Sequence, residues 1–338
     1  MAEEILRVED LTVDFPTEDG VVRAVRGISY TLREREVIGV VGESGSGKSV
    51  SSMAVMGLLP GSARVRGSIL FDGRELIGAP SSTIRRLRGN RMAMIFQDPM
   101  TAMNPVHKVG DQLAEAYRAH HRVAKRVAWS KAVETLEVVG IPQPESRAES
   151  YPHEFSGGMR QRAMIAMAII NEPEIIFADE PTTALDVTVQ AQIMETLVEV
   201  KDRVNAAVVL ITHDLGVVAN MADRVLVMYA GQVVEEGSVA QLFSMPQHPY
   251  TVGLLGAIPA LGARRTRLAA IEGMVPAPDA QPPGCRFAPR CPFADERCRR
   301  EVPPLAELDG GHRSRCWKVP LEQLAATLPE PGSAPLCA

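Results

Sequence analysis

The stretch VIGVVGESGSGKSV, residues 37–50, decides the fold. Five apolar or small residues lead into a run of glycines and serines closed by Lys48 and Ser49. Residues 42–49 satisfy the spacing G-x-x-x-x-G-K-[ST], which arises by chance in about one chain in a hundred of this length. Glycine permits tight backbone turns, so the loop's N–H groups can converge on phosphate oxygens. A helix following the loop adds its positive dipole end. Gly42, Ser44, Gly45, Ser46 and Gly47 are therefore expected to cradle a nucleotide's phosphates, with Lys48 at the β/γ-phosphates and the Ser49 hydroxyl on Mg²⁺.

Outward from this loop, residues 5–15 and 21–32 alternate apolar and polar residues around the turn-like PTEDG and read as paired strands. Residues 53–59, MAVMGLL, read as a buried helix, and 67–73 as a strand ending in an Asp-Gly turn. Residues 91–97 read as another strand, and about 98–170 as mostly helical. Beyond 174 strands and helices alternate: strands at 175–179, 206–212 and 224–229, helices at 187–204 and 214–222. Such alternation predicts an α/β fold with a mostly parallel sheet covered on both faces.

Two further constellations carry chemistry. Residues 175–180, IIFADE, are an apolar strand ending in two carboxylates. Successive strand residues face opposite ways, so the two acids need not share a task; beside a phosphate loop, Asp179 is expected to hold Mg²⁺ and Glu180 to polarise an attacking water. Residues 155–162, FSGGMRQR, open an apolar helix with Ser156, Gly157 and Gly158, a hydroxyl and N–H groups fit for a second anion contact. Alone, Ser-Gly-Gly is more often a helix cap, and a lone His after an apolar strand is more often structural.

Taken in order, the phosphate loop, a Gln, Ser-Gly-Gly, Asp-Glu and a His resemble the ATP-binding cassette (ABC) ATPases over residues 1 to about 250. The resemblance implies a P-loop NTPase core, an N-terminal antiparallel β subdomain and an inserted helical subdomain at about 98–170. It implies that Phe15 stacks on adenine and that Gln97 senses Mg²⁺, γ-phosphate and the membrane partner. Ser156–Gly158 match the signature loop, with Phe155 and Met159 replacing its usual Leu and Gln flanks. Asp186 matches the D-loop and His213 the switch histidine, which joins Glu180 in catalysis. The signature loop of one subunit closes over the phosphate loop of another, so a second ATPase subunit is expected, homologous and non-identical.

The C-terminal third narrows the resemblance. Twelve of the 25 prolines fall in residues 276–338, which excludes long helices there. HPYTVGLLGAIP (248–259) and the Cys-containing run after Pro283 resemble the C-terminal extension of dipeptide/oligopeptide permease ATPases, a group that includes nickel importers. A cassette at 1–260, a Cys-rich extension at 261–318 and a flexible tail at 319–338 are expected. Cys285, Cys291, Cys298 and Cys316 are separated by 5, 6 and 17 residues, without the paired knuckles usual for zinc. Four thiolates suit an iron–sulfur centre, and nearby arginines, Arg286, Arg290, Arg297, Arg299, Arg300, Arg313 and Arg315, would offset its negative charge. The resemblance implies a [4Fe–4S] cluster; zinc and the absence of metal remain open.

Net charge is −5, which does not favour a nucleic-acid partner. The N-terminal MAEEILRVED lacks the apolar run of a signal peptide, and no 18-residue apolar stretch occurs. The expected setting is the cytoplasmic face of the membrane, peripherally bound to two permease subunits that work with an extracytoplasmic solute-binding protein. The expected function is ATP hydrolysis powering import of di- or oligopeptides, with a nickel or other small-solute importer as the alternative. A soluble ABC ATPase acting on DNA or ribosomes and an electron-transfer module are the competing classes.

Overall fold

The computed structural model describes residues 3–18, 20–182, 185–256, 271, 273–276 and 280–321. The boundary expected near 260 and most of the expected tail lie outside the described residues.

The chain opens with β1 (Glu4–Thr17) and β2 (Gly20–Arg33), paired antiparallel as their alternation predicts. β3 (Val37–Val41) follows, then the phosphate loop and α1 (Lys48–Val55). The helix was expected over 53–59; it starts at Lys48 and stops where Gly57 takes a positive φ of 61°. Next come β4 (Arg64–Phe71) and β5 (Arg74–Glu75), joined by Asp72 and Gly73 at φ 50° and 68°, the twist a two-residue hairpin favours. These build a four-stranded antiparallel sheet in the order β2-β1-β4-β5.

α2 (Ser81–Leu87) and β6 (Met92–Ile95) return the chain to the core. A helical layer follows: α3 (Pro99–Ala102), α4 (Val109–Arg118), α5 (Lys125–Val138), α6 (Pro144–Ala148) and α7 (Gly157–Ile169). Then come β7 (Ile175–Asp179), α8 (Val187–Val204), β8 (Ala207–Ile211), α9 (Leu215–Met221) and β9 (Arg224–Tyr229). β9-β3-β8-β7-β6 are parallel neighbours.

β3, β7 and β8 are buried at every residue, which explains their unbroken apolar runs. Their side chains still alternate. Ile38, Val40, Ile175, Phe177, Val209 and Ile211 face the antiparallel sheet and α1. Val37, Ile176, Ala178, Val208 and Leu210 face the helical layer. Each Val, Leu, Ile or Phe among them contributes roughly 1.5–3 kcal/mol by leaving water, so the two faces together fix the strand register.

The sheet is mixed rather than wholly parallel. β10 (Gln232–Ser238) turns back antiparallel on β9. The reading from sequence missed it because Gln232, Glu235 and Glu236 make it look like a polar loop, yet all three are buried. α10 (Val239–Ser244) and α11 (Pro249–Gly256) follow. Within the Cys-rich region α12 (Glu296–Arg300), β11 (Ala306–Glu307) and β12 (Arg313–Ser314) are ordered, and β12 pairs with β10. The C-terminal region thus extends the core sheet to eight strands among the described residues.

A buried polar latch holds that edge. Glu235 is fully buried; one oxygen lies 2.8 Å from His312 Nε2 and also accepts the Gln247 N–H. Ser314 Oγ donates to the Gln247 carbonyl at 2.7 Å. Removing His312 strands a carboxyl group in a dry site, which costs about 3 kcal/mol. His312→Ala is expected to lower the melting temperature by several degrees, and His312→Gln, which keeps a donor, to recover part of it. Thermal unfolding by circular dichroism checks this; equal losses in the two variants would contradict it.

Candidate functional site

The parallel register brings three chain segments to one edge of the sheet. Val40 pairs with Ile211, and Ile211 pairs with Asp179. The phosphate loop, the two acids and the Thr212-His213 turn therefore leave neighbouring strands side by side.

Within the loop the glycines meet steric demands. Gly42 has φ 154°, and a Cβ there would lie 2.2 Å from the Met228 carbonyl oxygen. Gly47 has φ 98°, and a Cβ would lie 2.6 Å from the Ala24 carbonyl oxygen. Gly47 is the N-cap of α1, so the helix starts at Lys48 with its N-terminus in the cleft. Lys48 is buried, and its Nζ donates to the carbonyls of Gly42 at 2.8 Å and Glu43 at 3.0 Å. Burial lowers its pKa; the charges of Glu180, Asp179 and Glu43 oppose that.

Ser49 Oγ donates to Asp179 Oδ1 at 2.8 Å. Burial is the main cause raising the Asp179 pKa, against the Ser49 hydrogen bond. A hydroxyl and a buried carboxylate side by side form the hard oxygen donor set that Mg²⁺ prefers. A cation there reverses the desolvation penalty on Asp179.

Glu180 lies just beyond β7 at φ 46°, a left-handed backbone that costs a non-glycine residue of order 1–3 kcal/mol. Its N–H donates to the Ile211 carbonyl at 2.8 Å, which fixes the bend. Gln97 Nε2 donates to Glu180 Oε2 at 3.0 Å, and His213 Nδ1 lies 3.5 Å from the same oxygen. Gln97 is two residues past the end of β6, not at the strand end as expected. Ser44, Gly45, Ser46, Gly47, Lys48, Ser49, Gln97, Glu180 and His213 line one open cleft. It unites phosphate-binding N–H groups, a cation, a Mg²⁺ donor pair and a carboxylate within reach of a polar amide and an imidazole. These are the parts a phosphoryl transfer to water requires.

The remaining expected residues lie elsewhere. Ser156 caps α7 by accepting the Met159 N–H at 3.3 Å, and Asp186 caps α8 by accepting the Val189 N–H at 3.0 Å. Ser156, Gly157, Gly158 and Asp186 share a second concavity with Gly140 and Arg162, apart from the phosphate cleft. Phe15 sits on β1 opposite Val22, half-buried against the core that β1 shares with α1.

The arginines expected around the cysteines divide: Arg286 and Arg315 lie within electrostatic reach of Cys285, while others form ion pairs. Arg290 pairs with Glu43, Arg297 with Glu301, Arg300 with Glu296 and Arg313 with Glu236. The role of Glu43 and Tyr250 at the loop was missed from sequence: the Glu43 N–H donates to Tyr250 Oη at 2.8 Å. No local pattern marks that contact. The four cysteines are reduced and interact with one another. Burial first, then neighbouring thiols, pushes Cys291 up to about 11 and Cys316 up to about 12. Among the described residues no three His, Cys, Asp or Glu side chains are arranged to hold one metal ion.

Comparison with known proteins agrees with this geometry. The ABC transporter family profile matches residues 25–183, and that of the oligopeptide/dipeptide transporter C-terminal region matches residues 234–298. A probable peptide ABC transporter ATP-binding protein, y4tR of Sinorhizobium fredii, is 50% identical over 320 residues, covering 94% of this chain and 96% of its own. The oligopeptide transport ATP-binding protein OppD of Escherichia coli is 49% identical over 96% of this chain and 95% of its own. Among solved structures, cbiO1 of Clostridium perfringens, part of the ABC transporter complex cbiONQ, superposes with TM-score 0.61 at 27% identity, over 75% of this chain and 95% of its own. The phosphate loop, the acid pair at the end of β7 and both matched regions lead to one assignment: the chain belongs to the ABC transporter ATP-binding proteins, in the group that carries the oligopeptide/dipeptide transporter C-terminal region.

Proposed function

We propose that this chain is the ATP-hydrolysing subunit of a peptide importer, using ATP and Mg²⁺ to drive passage of di- or oligopeptides through a membrane permease. The observation that carries the proposal is the pairing of a cleft holding Lys48, Ser49, Gln97, Glu180 and His213 with the C-terminal region shared with peptide-transport relatives.

In this reading the loop N–H groups and Lys48 hold the β- and γ-phosphates while Phe15 stacks on adenine. Bound Mg²⁺, held through Ser49, Asp179 and Gln97, supplies charge neutralisation on the phosphate oxygens. Glu180 accepts the proton of the attacking water, and its contacts to Gln97 and His213 orient it. Ser156, Gly157, Gly158 and Asp186 serve the nucleotide of a second, homologous subunit. Support comes from their location in a concavity separate from the phosphate cleft, which leaves each site half-built on one chain. ATP then closes the pair and hydrolysis reopens it.

Two permease subunits are the partners that bring the chain to the cytoplasmic membrane face, with a solute-binding protein outside. Among the described residues no helix is long and apolar enough to cross a membrane. An apolar cavity beside the Gln97 segment, lined by Phe96, Met94, Met164, Met167 and Ala116, suits a permease helix. Cys285, Cys291, Cys298 and Cys316 are proposed to ligate a structural [4Fe–4S] cluster. Support comes from the gathering of the four thiols within electrostatic reach of one another, with Cys298 buried and the other three half-buried.

Three outcomes test these assignments. ATP-driven uptake of labelled peptide into vesicles holding the permease is expected; uptake of Ni²⁺ in its place would sink the peptide assignment. Glu180→Gln is expected to retain ATP binding, to lower steady-state hydrolysis by roughly 10²–10⁴-fold and to accumulate the closed pair, readable by gel filtration with ATP. Anaerobically purified protein is expected to carry iron and acid-labile sulfide, and Cys291→Ser to lose both and to destabilise the fold more than it weakens ATP binding. A variant with full iron content removes Cys291 from the ligand set.

A further inference from the structure

The C-terminal region makes a direct contact with the phosphate loop. Arg290 Nη1 donates to Glu43 Oε2 at 2.7 Å and Nη2 to Glu43 Oε1 at 3.0 Å, a two-pronged pair between residues 247 apart in sequence. The Arg290 side chain is only 5% exposed. Its fork is held from behind: Nη2 also donates to the Ile271 carbonyl at 3.2 Å, and Nη1 approaches Tyr229 Oη at 3.4 Å. Tyr229, Tyr250 and Phe287 pack ring against ring around it. The guanidinium side of the pair is shielded from water, while the Glu43 carboxylate stays partly exposed.

Glu43 follows Gly42 directly, in the turn that Lys48 closes. Its carbonyl accepts from Lys48 Nζ and from the Ser46 N–H at 3.2 Å. Its own N–H donates to Tyr250 Oη. The side chain is clamped by Arg290 and the N–H by Tyr250, and both clamps come from beyond residue 248. A bidentate guanidinium–carboxylate pair fixes the carboxylate's plane as well as its position. The path from the C-terminal region to the phosphate-loop lysine is thus two contacts joined through one residue: Arg290 to the Glu43 side chain, and the Glu43 carbonyl to Lys48.

We propose that Arg290 is a positioning residue for the phosphate loop, so that nucleotide binding and the docking of residues 280–318 form one coupled equilibrium. Docking holds the Gly42–Glu43 turn and the Lys48 ammonium in place. Coupling free energies are reciprocal, so nucleotide in the loop must in turn strengthen docking of the C-terminal region. The proposal concerns nucleotide affinity alone and is independent of the transported solute.

The test uses the full-length chain and two conservative variants. Arg290→Lys keeps the charge and loses the fork; Glu43→Gln keeps the size and loses the charge. Each is titrated with a fluorescent ATP analogue in Mg²⁺ and assayed for hydrolysis. Each is expected to raise Kd and KM for ATP by about tenfold while kcat stays within about twofold. The double variant is expected to be no worse than either single one, since both remove the same contact. MgADP is expected to slow hydrogen exchange of amides 285–300 in the parent and to lose that effect in Arg290→Lys. Wild-type nucleotide affinity in a variant that melts earlier would make Arg290 a fold staple only and overturn the proposal. Should Arg290→Lys fail to fold, Glu43→Gln decides by the same readings.

Discussion

The parallel alignment of β3, β8 and β7 is the constraint on which the rest of the molecule depends. Each strand is short and buried on both faces, so a slip in register would expose apolar side chains on both sides at once. With the register held, three strand ends lie level and three loops leave at one edge. That edge receives Lys48, Asp179, Glu180 and His213 without any further device. The left-handed backbone of Glu180 is tolerated because its N–H is anchored to the Ile211 carbonyl of the neighbouring strand.

Around this scaffold two groups of the expected residues lie on different surfaces. The cleft at the strand ends gathers Lys48 and Ser49 with Gln97, Glu180 and His213, while Ser156 and Asp186 cap helices on another concavity. An N-cap side chain already occupied by its own helix still leaves further N–H groups at that helix end for an external anion.

The C-terminal region is continuous with the cassette. It supplies two strands to the core sheet, a buried latch through His312 and Glu235, and the Arg290 contact to the phosphate loop. Its many prolines exclude long elements, so its order comes from contacts with β10 and with the aromatic cluster of Tyr229, Tyr250 and Phe287. This explains why a segment poor in regular structure can still bear on nucleotide chemistry.

Much of the site was legible in the sequence because its chemistry is written locally. The glycines, Lys48 and Ser49 of the loop, the apolar run ending at Asp179 and Glu180, and the Ser-Gly-Gly opening a helix at Ser156 each depend on a few contiguous residues and the backbone they enforce. The strand–helix alternation was readable for the same reason, since burial on both faces leaves an unbroken apolar run. The tertiary structure decided what long-range pairing alone can decide. β10 reads as polar because its glutamates find partners 77 residues away. Arg290 reads as one of several charges near cysteines until the fold turns it onto Glu43. A hydrogen-bonding group declares its type in the sequence, but its partner is fixed only when distant segments are packed together and water is excluded between them.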